Sequence, residues 1–529
     1  MKKFLLLILF ISLIALWPFF RRGYFESHDG EWMVIRFSAF HQTLSSGQFP
    51  VRFVDRLNNN YGYPVLNFLY PLPFYFAEIP KVLGFGFVNS IKIIFVVSTV
   101  ASVVIMFWAL TQVFSKEAGF AGAALYLFAP YRFVDLYVRG SIGENLAFAI
   151  IPLILGVLFK IAKGSKIFLP ILSISVALLI LSHNVTAAIF LPLFMAISIV
   201  LVKQDKVKVL TAFFVGILIS TFFWLPAIYD LKFVRLSQIK VSSIGDHLVG
   251  PSGLFIPSWG YGPSPGSADG LSTQIGIVSL AVVIFALVIR FAKGIKHPLT
   301  DILLAVFLAS AFLMTKFSAY LWQNIPYMDI MQFPWRLLSM TVFISAFLTS
   351  YVIETNKKRN ILALLIVLAA IISTVVYTKP RAFVDRPDTF YSTNEDTTTV
   401  QNEYLPLWVK VNPKERADQK IVVSKESTVL KEKIAPANYQ ATIKAKQDSP
   451  VQVNTIYFPG HKVTIDGTET LIDYQNNHGL ITFQLPKGEH QVIITYTKTP
   501  IHLFSEIISL VAIIGTVAFL FSTTKLSKV

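Results

Sequence analysis

Residues 28 to 36, which read His-Asp-Gly-Glu-Trp-Met-Val-Ile-Arg, place two carboxylates, an arginine and a tryptophan directly after the first apolar segment of the chain. If residues 3 to 20 cross a bilayer, Asp29 lies close to the membrane surface, where it can meet both lipid-linked and water-soluble substrates. Helical spacing puts Asp29, Met33 and Arg36 on one stripe, which predicts an interfacial helix with one charged edge. The stretch equally fits a charged cluster that merely ends a transmembrane helix.

Ionisable residues also stand at the borders of two later apolar runs. Arg139 and Glu144 flank the start of a run near residue 142, and Arg336 stands near the start of another. Charges at this depth are costly unless they pair or bind a ligand. Arg139 and Glu144 therefore form either a structural salt bridge or a site in which the guanidinium holds a phosphate. Arg336 is either a snorkelling anchor or a second phosphate ligand.

Polar and aromatic residues beside these groups complete the candidate substrate contacts. His183 interrupts an apolar stretch and is either a capped, hydrated turn or a functional group. The other candidates are Tyr63, Tyr131, Gln332 and Trp335. The proline-rich and aromatic residues 68–75 suit the headgroup layer, and there an interfacial anchor is the simpler interpretation.

Composition requires that membrane helices position these groups. The chain has 529 residues, of which 54% are hydrophobic and 14% charged, and its mean hydropathy is +0.61. These values are typical of a polytopic membrane protein. The net charge of +16 is spread over short loops, so the positive-inside rule explains it without nucleic acid as a partner. The absence of cysteine excludes disulfides and thiolate chemistry.

Twelve apolar runs are long enough, or nearly long enough, to span a bilayer. They cover residues 3–20, 90–114, 118–134, 142–162, 167–183, 185–202, 208–228, 273–292, 299–315, 335–353, 360–378 and 501–522. Most basic loops fall on one side when the runs are threaded alternately, which predicts a plasma membrane protein with both termini in the cytoplasm. The long polar connections then lie outside: 21–88, 229–272, 316–334 and 379–498.

The last outer connection is β-like. Ile481, Phe483 and Leu485 alternate with polar residues, and Asp466-Gly467 marks a hairpin. The sequence thus predicts three parts. These are a transmembrane domain at 1–378 that includes the outer loop 21–88, an extracytoplasmic β-sandwich at 379–498, and a final membrane helix with a short tail at 499–529.

The order of these motifs resembles two related groups, the YfhO-like bacterial membrane proteins and those labelled 6-pyruvoyl-tetrahydropterin synthase-related. Both groups resemble the GT-C class of polyprenyl-phosphate-sugar-dependent glycosyltransferases. The matching residues are 28–31 with Arg36, 47–50, 61–64, 131–132, 137–140 with Glu144, 182–184, 223–226, 332–336, 403–406 and 457–467. The chain departs from the pattern at Met33, where a histidine is common. The pterin-synthase label implies no chemistry here, because the sequence lacks the histidine cluster of a zinc site.

This resemblance implies sugar transfer from a polyprenyl-phosphate donor to an envelope glycan, a glycolipid or a protein. A carboxylate at the interface can remove the acceptor proton, with Asp29 as the candidate base and Glu31 as the alternative. Arg139, Arg336 and Arg36 can stabilise the departing lipid phosphate. A divalent metal, Mg or Mn, is compatible with the reaction, although no motif demands one. A flippase for lipid-linked saccharides and a non-catalytic envelope scaffold are the alternatives.

Overall fold

A computed structural model describes residues 1–526 except 241, 267, 268 and 327. The described chain is mostly helical. Its α-helices are Lys2–Leu16, Gly30–Ser45, Val65–Phe68, Leu72–Val82, Phe87–Leu110, Lys116–Leu127, Pro130–Phe133, Ile142–Ala162, Phe168–Ser182, Asn184–Leu201, Lys206–Ile219, Thr221–Asp230, Pro251–Phe255, Ile277–Leu287, Thr300–Leu313, Ala319–Asn324, Leu338–Glu354, Arg359–Thr374, Asp388–Thr393 and Pro500–Leu526.

Each of the twelve predicted apolar runs contains a helix, so the prediction of a polytopic helical membrane protein is confirmed. Within the described residues, seven helices are long and apolar enough to cross a bilayer. They are Lys2–Phe20, Phe87–Leu110, Ile142–Ala162, Asn184–Leu201, Pro334–Glu354, Arg359–Tyr377 and Pro500–Ser522. An eighth crossing would come from Lys206–Ile219 and Thr221–Phe233, which meet at a bend of 63°.

The other predicted runs form shorter helices. Phe168–Ser182, Ile277–Ala292 and Thr300–Leu313 are apolar but shorter than a full crossing. The run predicted at 118–134 contains Lys116–Leu127, which has only 12 residues. The chain then turns at Pro130 and continues as an irregular helical segment to Arg139. This break follows from Pro130, which cannot donate a backbone hydrogen bond within a helix.

The predicted β-rich region consists of two antiparallel sheets. The five-stranded sheet has the order Ser427–Ala435, Asn438–Ala445, Gly488–Tyr496, His461–Ile465 and Thr468–Thr470, and the three-stranded sheet has the order Ile421–Val423, Ser449–Ile456 and Leu480–Leu485. Inward residues of both sheets, such as Ile443 and Phe483, share one hydrophobic core. The hairpin predicted at Asp466-Gly467 is present, and both residues have positive φ, as such a tight turn requires.

The segment that precedes these strands packs on the membrane part. Phe383–Val384 pairs antiparallel with Tyr24–Phe25. Tyr391 and Leu405 lie in the same buried apolar core as the membrane helices. Residues 383–409 therefore line the first outer loop, and the strands of the sandwich begin only at residue 421.

One buried carboxylate clamps the sandwich onto the first outer loop. Asp55 accepts a hydrogen bond of 2.6 Å from the hydroxyl of Tyr439 and another from the backbone N–H of Ala437. Nearby, Lys420 donates to the backbone carbonyl of Asn60. Asp55 and Tyr439 are 6% and 2% exposed, so the clamp is shielded from water.

We expect Asp55→Ala to weaken this contact by about 1.5–3 kcal/mol, since it leaves a buried hydroxyl and a buried N–H without their charged partner. Limited proteolysis should then release the sandwich at protease concentrations that the parent protein resists. Glu432→Ala, an exposed change in the same sheet, is the matched control. Equal protease resistance of Asp55→Ala and the parent would contradict the clamp.

Candidate active site

Backbone contacts hold Asp29 next to Arg139. The N–H groups of His28 and Asp29 donate to the carbonyls of Val138 and Arg139 at 2.9 and 2.8 Å. Asp29 is the N-cap residue of Gly30–Ser45, and its half-buried side chain makes no capping hydrogen bond. In the described part of the chain, no side chain forms a hydrogen bond or an ion pair with this carboxylate. Asp29 therefore remains available for another partner.

A glycine makes this close approach possible. Gly140 has φ +65°, and a Cβ atom there would lie 2.8 Å from the backbone nitrogen of Gly30. A larger residue would push the loop 138–140 away from Asp29. Gly164 also has positive φ, at +89°, but a Cβ atom there would meet nothing within 4 Å.

These two glycines give a matched pair of variants. Gly140→Ala and Gly164→Ala carry a similar backbone strain of about 1 kcal/mol, but only Gly140→Ala separates Asp29 from Arg139. We expect Gly140→Ala to reduce any activity of this site at least tenfold more than Gly164→Ala. Equal activity of the two variants would show that the approach of the two segments has no functional role.

Arg139 lies at the centre of a buried ion cluster. Its Nη1 donates to Asp135 Oδ1 at 2.8 Å, to Tyr131 OH at 3.0 Å and to Glu144 Oε2. Tyr131 in turn donates to Glu144 Oε1 at 2.8 Å. The guanidinium also lies over the ring of Trp335, 4.7 Å from its centroid. Of the two sequence alternatives, the salt bridge is the one present, and two carboxylates neutralise Arg139.

Arg336 has a different environment. Its Nη1 donates to the carbonyl of Met331 at 2.9 Å and to Gln332 Oε1 at 3.3 Å. Within the described residues, no carboxylate lies within ion-pair distance of Arg336, although Glu144 acts on it electrostatically. Its guanidinium therefore lies beside the Arg139 cluster without a carboxylate in contact with it.

Tyr70 lies among these charges, and the sequence analysis did not single it out. It is 6% exposed, and its ring centroid is 5.1 Å from that of His183. Burial raises the pKa of its hydroxyl, the charge of Asp29 raises it further, and Arg36 and Arg139 act in the opposite direction. Tyr70 belongs to the aromatic stretch interpreted as a membrane anchor, and no local sequence signal distinguishes it from its neighbours.

His183 caps a helix. Its Nδ1 accepts a hydrogen bond of 3.2 Å from the backbone N–H of Thr186 at the start of Asn184–Leu201. Its ring centroid lies 5.1 Å from that of Tyr70. His183 is thus a structural cap next to Tyr70, and its role in substrate binding stays a prediction.

Three other predicted residues make contacts with the segment 386–404. Glu31 accepts a hydrogen bond of 3.0 Å from the Tyr391 hydroxyl and lies 3.6 Å from Arg386. Arg36 donates to Thr398 Oγ1 at 2.9 Å and contacts the sulfur of Met33 at 3.7 Å. The hydroxyl of Tyr63 lies 2.9 Å from Thr399 Oγ1 and accepts from the N–H of Tyr404.

The helix after Asp29 does not expose the charged edge that the stripe predicted. Ten of the 16 residues of Gly30–Ser45 are buried, Met33 and Arg36 included. Residues 383–409 cover the face that would otherwise meet water. That prediction was wrong because the covering segment lies about 360 residues away in the chain, beyond the reach of helical periodicity.

The side chains of the site offer few ligands for a divalent metal. Among the described residues, no group of three or more histidine, aspartate or glutamate side chains could hold a metal ion. Asp135 Oδ1 and both carboxylate oxygens of Glu144 contact Arg139 or Tyr131, whereas the buried Asp135 Oδ2 has no hydrogen-bond partner in the described part of the chain. The protein side chains alone therefore do not complete a coordination shell for Mg or Mn.

Comparisons with known proteins give distant matches. No family model matches the chain, so the resemblance to YfhO-like proteins stays a prediction. An uncharacterized protein of Lactococcus lactis subsp. cremoris (strain MG1363) is 24% identical over 245 residues, which are 44% of this chain and 40% of that protein.

Two solved structures of glycosyltransferases match part of the chain at a low level of similarity. The arabinofuranosyltransferase AftD from Mycobacteria has a TM-score of 0.48 at 14% identity, over 73% of this chain and 28% of that one. The Archaeoglobus fulgidus oligosaccharyltransferase has a TM-score of 0.43 at 14% identity, over 76% of this chain and 56% of that one. This chain thus spans about a quarter to a half of their lengths. Matches at this level do not assign an activity, which has to be argued from the site.

Proposed function

We propose that this protein is a GT-C-type membrane glycosyltransferase that moves a sugar from a polyprenyl-phosphate donor to an acceptor at the outer face of the plasma membrane. One observation carries the proposal. A carboxylate without a side-chain partner among the described residues, Asp29, and an arginine without a carboxylate partner there, Arg336, are both connected to Arg139. The Asp29 N–H donates to the Arg139 carbonyl at 2.8 Å, and the Arg139 guanidinium lies 4.7 Å from the ring centroid of Trp335, the chain neighbour of Arg336. Transfer from a phosphate donor needs a base for the acceptor and a positive charge for the leaving group.

In the proposed reaction, the acceptor hydroxyl attacks the anomeric carbon while Asp29 takes its proton. The new bond joins the acceptor oxygen to that carbon, and the bond from the carbon to the phosphate oxygen breaks. The electron pair leaves with the lipid phosphate, which Arg336 stabilises. The Tyr70 hydroxyl donates a hydrogen bond to the same phosphate. A single displacement inverts the anomeric configuration. No step is assigned to a metal.

Arg139 has a supporting role in this scheme. Because Asp135 and Glu144 neutralise it, it contributes little net charge to the phosphate. Its cluster instead holds Tyr131 and Trp335 in place. We therefore place Arg336, rather than Arg139 or Arg36, against the donor phosphate.

The membrane arrangement belongs to the same proposal. If both termini lie in the cytoplasm and the first and last membrane helices cross the bilayer, the first outer loop, the Asp29 site and the β-sandwich lie outside the cell. The donor would then enter from the bilayer, and an envelope glycan, a glycolipid or a protein would approach from the outside.

Incubation of the purified protein in lipid nanodiscs with a panel of radiolabelled polyprenyl-phosphate sugars and a membrane-envelope extract tests the proposal. We expect one donor to be consumed and its label to appear in an envelope acceptor. Consumption that persists unchanged in the Asp29→Asn protein, or no consumption of any donor, would contradict it.

A further inference from the structure

A row of aromatic side chains lies on the seam between the membrane part and the β-sandwich. Its members are Tyr229, Phe233, Trp408, Tyr457 and Tyr474, all of them half-buried or exposed. Neighbouring ring centroids are 4.2 to 6.3 Å apart, and the rings of Tyr457 and Tyr474 are nearly parallel. We call this row the aromatic seam.

Backbone contacts fix the seam from both sides. The N–H of Leu407 donates to the carbonyl of Phe233 at 2.9 Å, and the indole of Trp408 donates to the carbonyl of Tyr457 at 3.1 Å. Trp408 borders the core of the membrane part, whereas Tyr457 borders the core of the sandwich. The rings are therefore held in place before any ligand arrives.

Polar side chains lie beside Tyr474. Asp473, Gln475 and Asn477 are exposed on the loop that carries Tyr474, and His478 is half-buried beside them. Lys232 lies at the other end of the seam, with its Nζ 3.7 Å from the ring centroid of Tyr229 and 4.9 Å from that of Phe233. Aromatic faces next to amides and a carboxylate suit a sugar, whose C–H face packs on a ring while its hydroxyls bond the polar rim. Trp408, Tyr457 and Tyr474 lie outside the candidate membrane spans, which favours a saccharide over a lipid there.

Tyr404 joins the seam to the first outer loop. Its ring stacks on that of Phe68 with centroids 5.1 Å apart, and its N–H donates to the Tyr63 hydroxyl at 3.0 Å. Three residues lie between Tyr404 and Trp408, which are therefore at most about 14 Å apart. A saccharide of a few rings on the seam is long enough to extend along the outer loop that also carries Asp29.

We propose that the aromatic seam binds an uncharged oligosaccharide, the chain of a glycan acceptor, with its terminal hydroxyl directed to Asp29. The acceptor role rests on the proposed function, whereas the binding itself does not depend on it. The proposal narrows the acceptor to a glycan and makes the seam a binding site separate from the donor site.

The test measures binding by full-length protein in detergent, without donor, by isothermal titration calorimetry. The probes are linear glucan, galactan and N-acetylglucosamine oligomers. We expect at least one to bind, and Tyr474→Ala to weaken that binding about tenfold. Leu471→Ala, which alters a 91% exposed side chain near Tyr474, is the control and should bind as the parent does.

The outcomes separate the two proposals. No binding of any probe, or equal binding by Tyr474→Ala and the parent, would overturn the seam as a saccharide site. A purely structural role for Tyr474 would instead appear as a lower unfolding temperature of Tyr474→Ala, with binding per folded molecule unchanged. Asp29→Asn should retain full binding, so saccharide binding without any sugar transfer would reject only the proposed function.

Discussion

Replacement of Asp29 by asparagine is expected to lower sugar transfer by about 100- to 10,000-fold, the range that general-base catalysis contributes. Asparagine keeps the size of the side chain but cannot accept the acceptor proton. Because the Asp29 carboxylate makes no hydrogen bond or ion pair within the described residues, the protein should fold and melt like the parent. Turnover of the radiolabelled donor measures the effect, which should appear in kcat and leave donor binding nearly unchanged.

Glu31→Gln is the matched control. It removes the neighbouring carboxylate, whose contacts are with Tyr391 and Arg386, so transfer should fall far less than in Asp29→Asn. A larger loss in Glu31→Gln would assign the base to Glu31. Undiminished transport of a lipid-linked saccharide by Asp29→Asn would instead favour a flippase, and undisturbed envelope assembly without any transfer would favour a scaffold.

Replacement by methionine should mainly reduce transfer at Arg336 and mainly reduce stability at Arg139. Arg336→Met removes a charge that no carboxylate neutralises, so the fold should persist while transfer drops about 100- to 1,000-fold, as for the loss of one oxyanion donor. Arg139→Met leaves two buried carboxylates without their cation and should cost about 3–5 kcal/mol of folding free energy. Thermal unfolding in detergent and donor turnover together distinguish the two effects.

A triple variant tests why Arg139→Met should lose stability. Arg139→Met combined with Asp135→Asn and Glu144→Gln removes the uncompensated charges and should regain most of the lost stability. Normal stability of Arg139→Met alone would show that its cluster is not the structural element inferred here. Full transfer by Arg336→Met would remove that arginine from the donor site.

Some features follow from the sequence because their causes are local. Apolar runs predicted where helices lie, since a span without water must satisfy its own backbone hydrogen bonds. Asp466-Gly467 predicted its hairpin because both positions need positive φ. Burial of a lone charge is costly, so the sequence predicted a partner for Arg139. Glu144, five residues further along the chain, forms an ion pair with it.

Other features depended on contacts that no local pattern reveals. Residues 383–409 cover the helix after Asp29 and occupy Glu31, Arg36 and Tyr63, three of the predicted site residues. Tyr70 enters the site only because Gly143 leaves room for its ring, about 2.3 Å from where a Cβ atom would stand. Charge and hydropathy in the sequence determined which residues must avoid lipid. Packing between distant segments decided that Asp29 has no side-chain partner and Arg336 no carboxylate partner among the described residues, since most buried polar groups take the partner that the fold brings within reach.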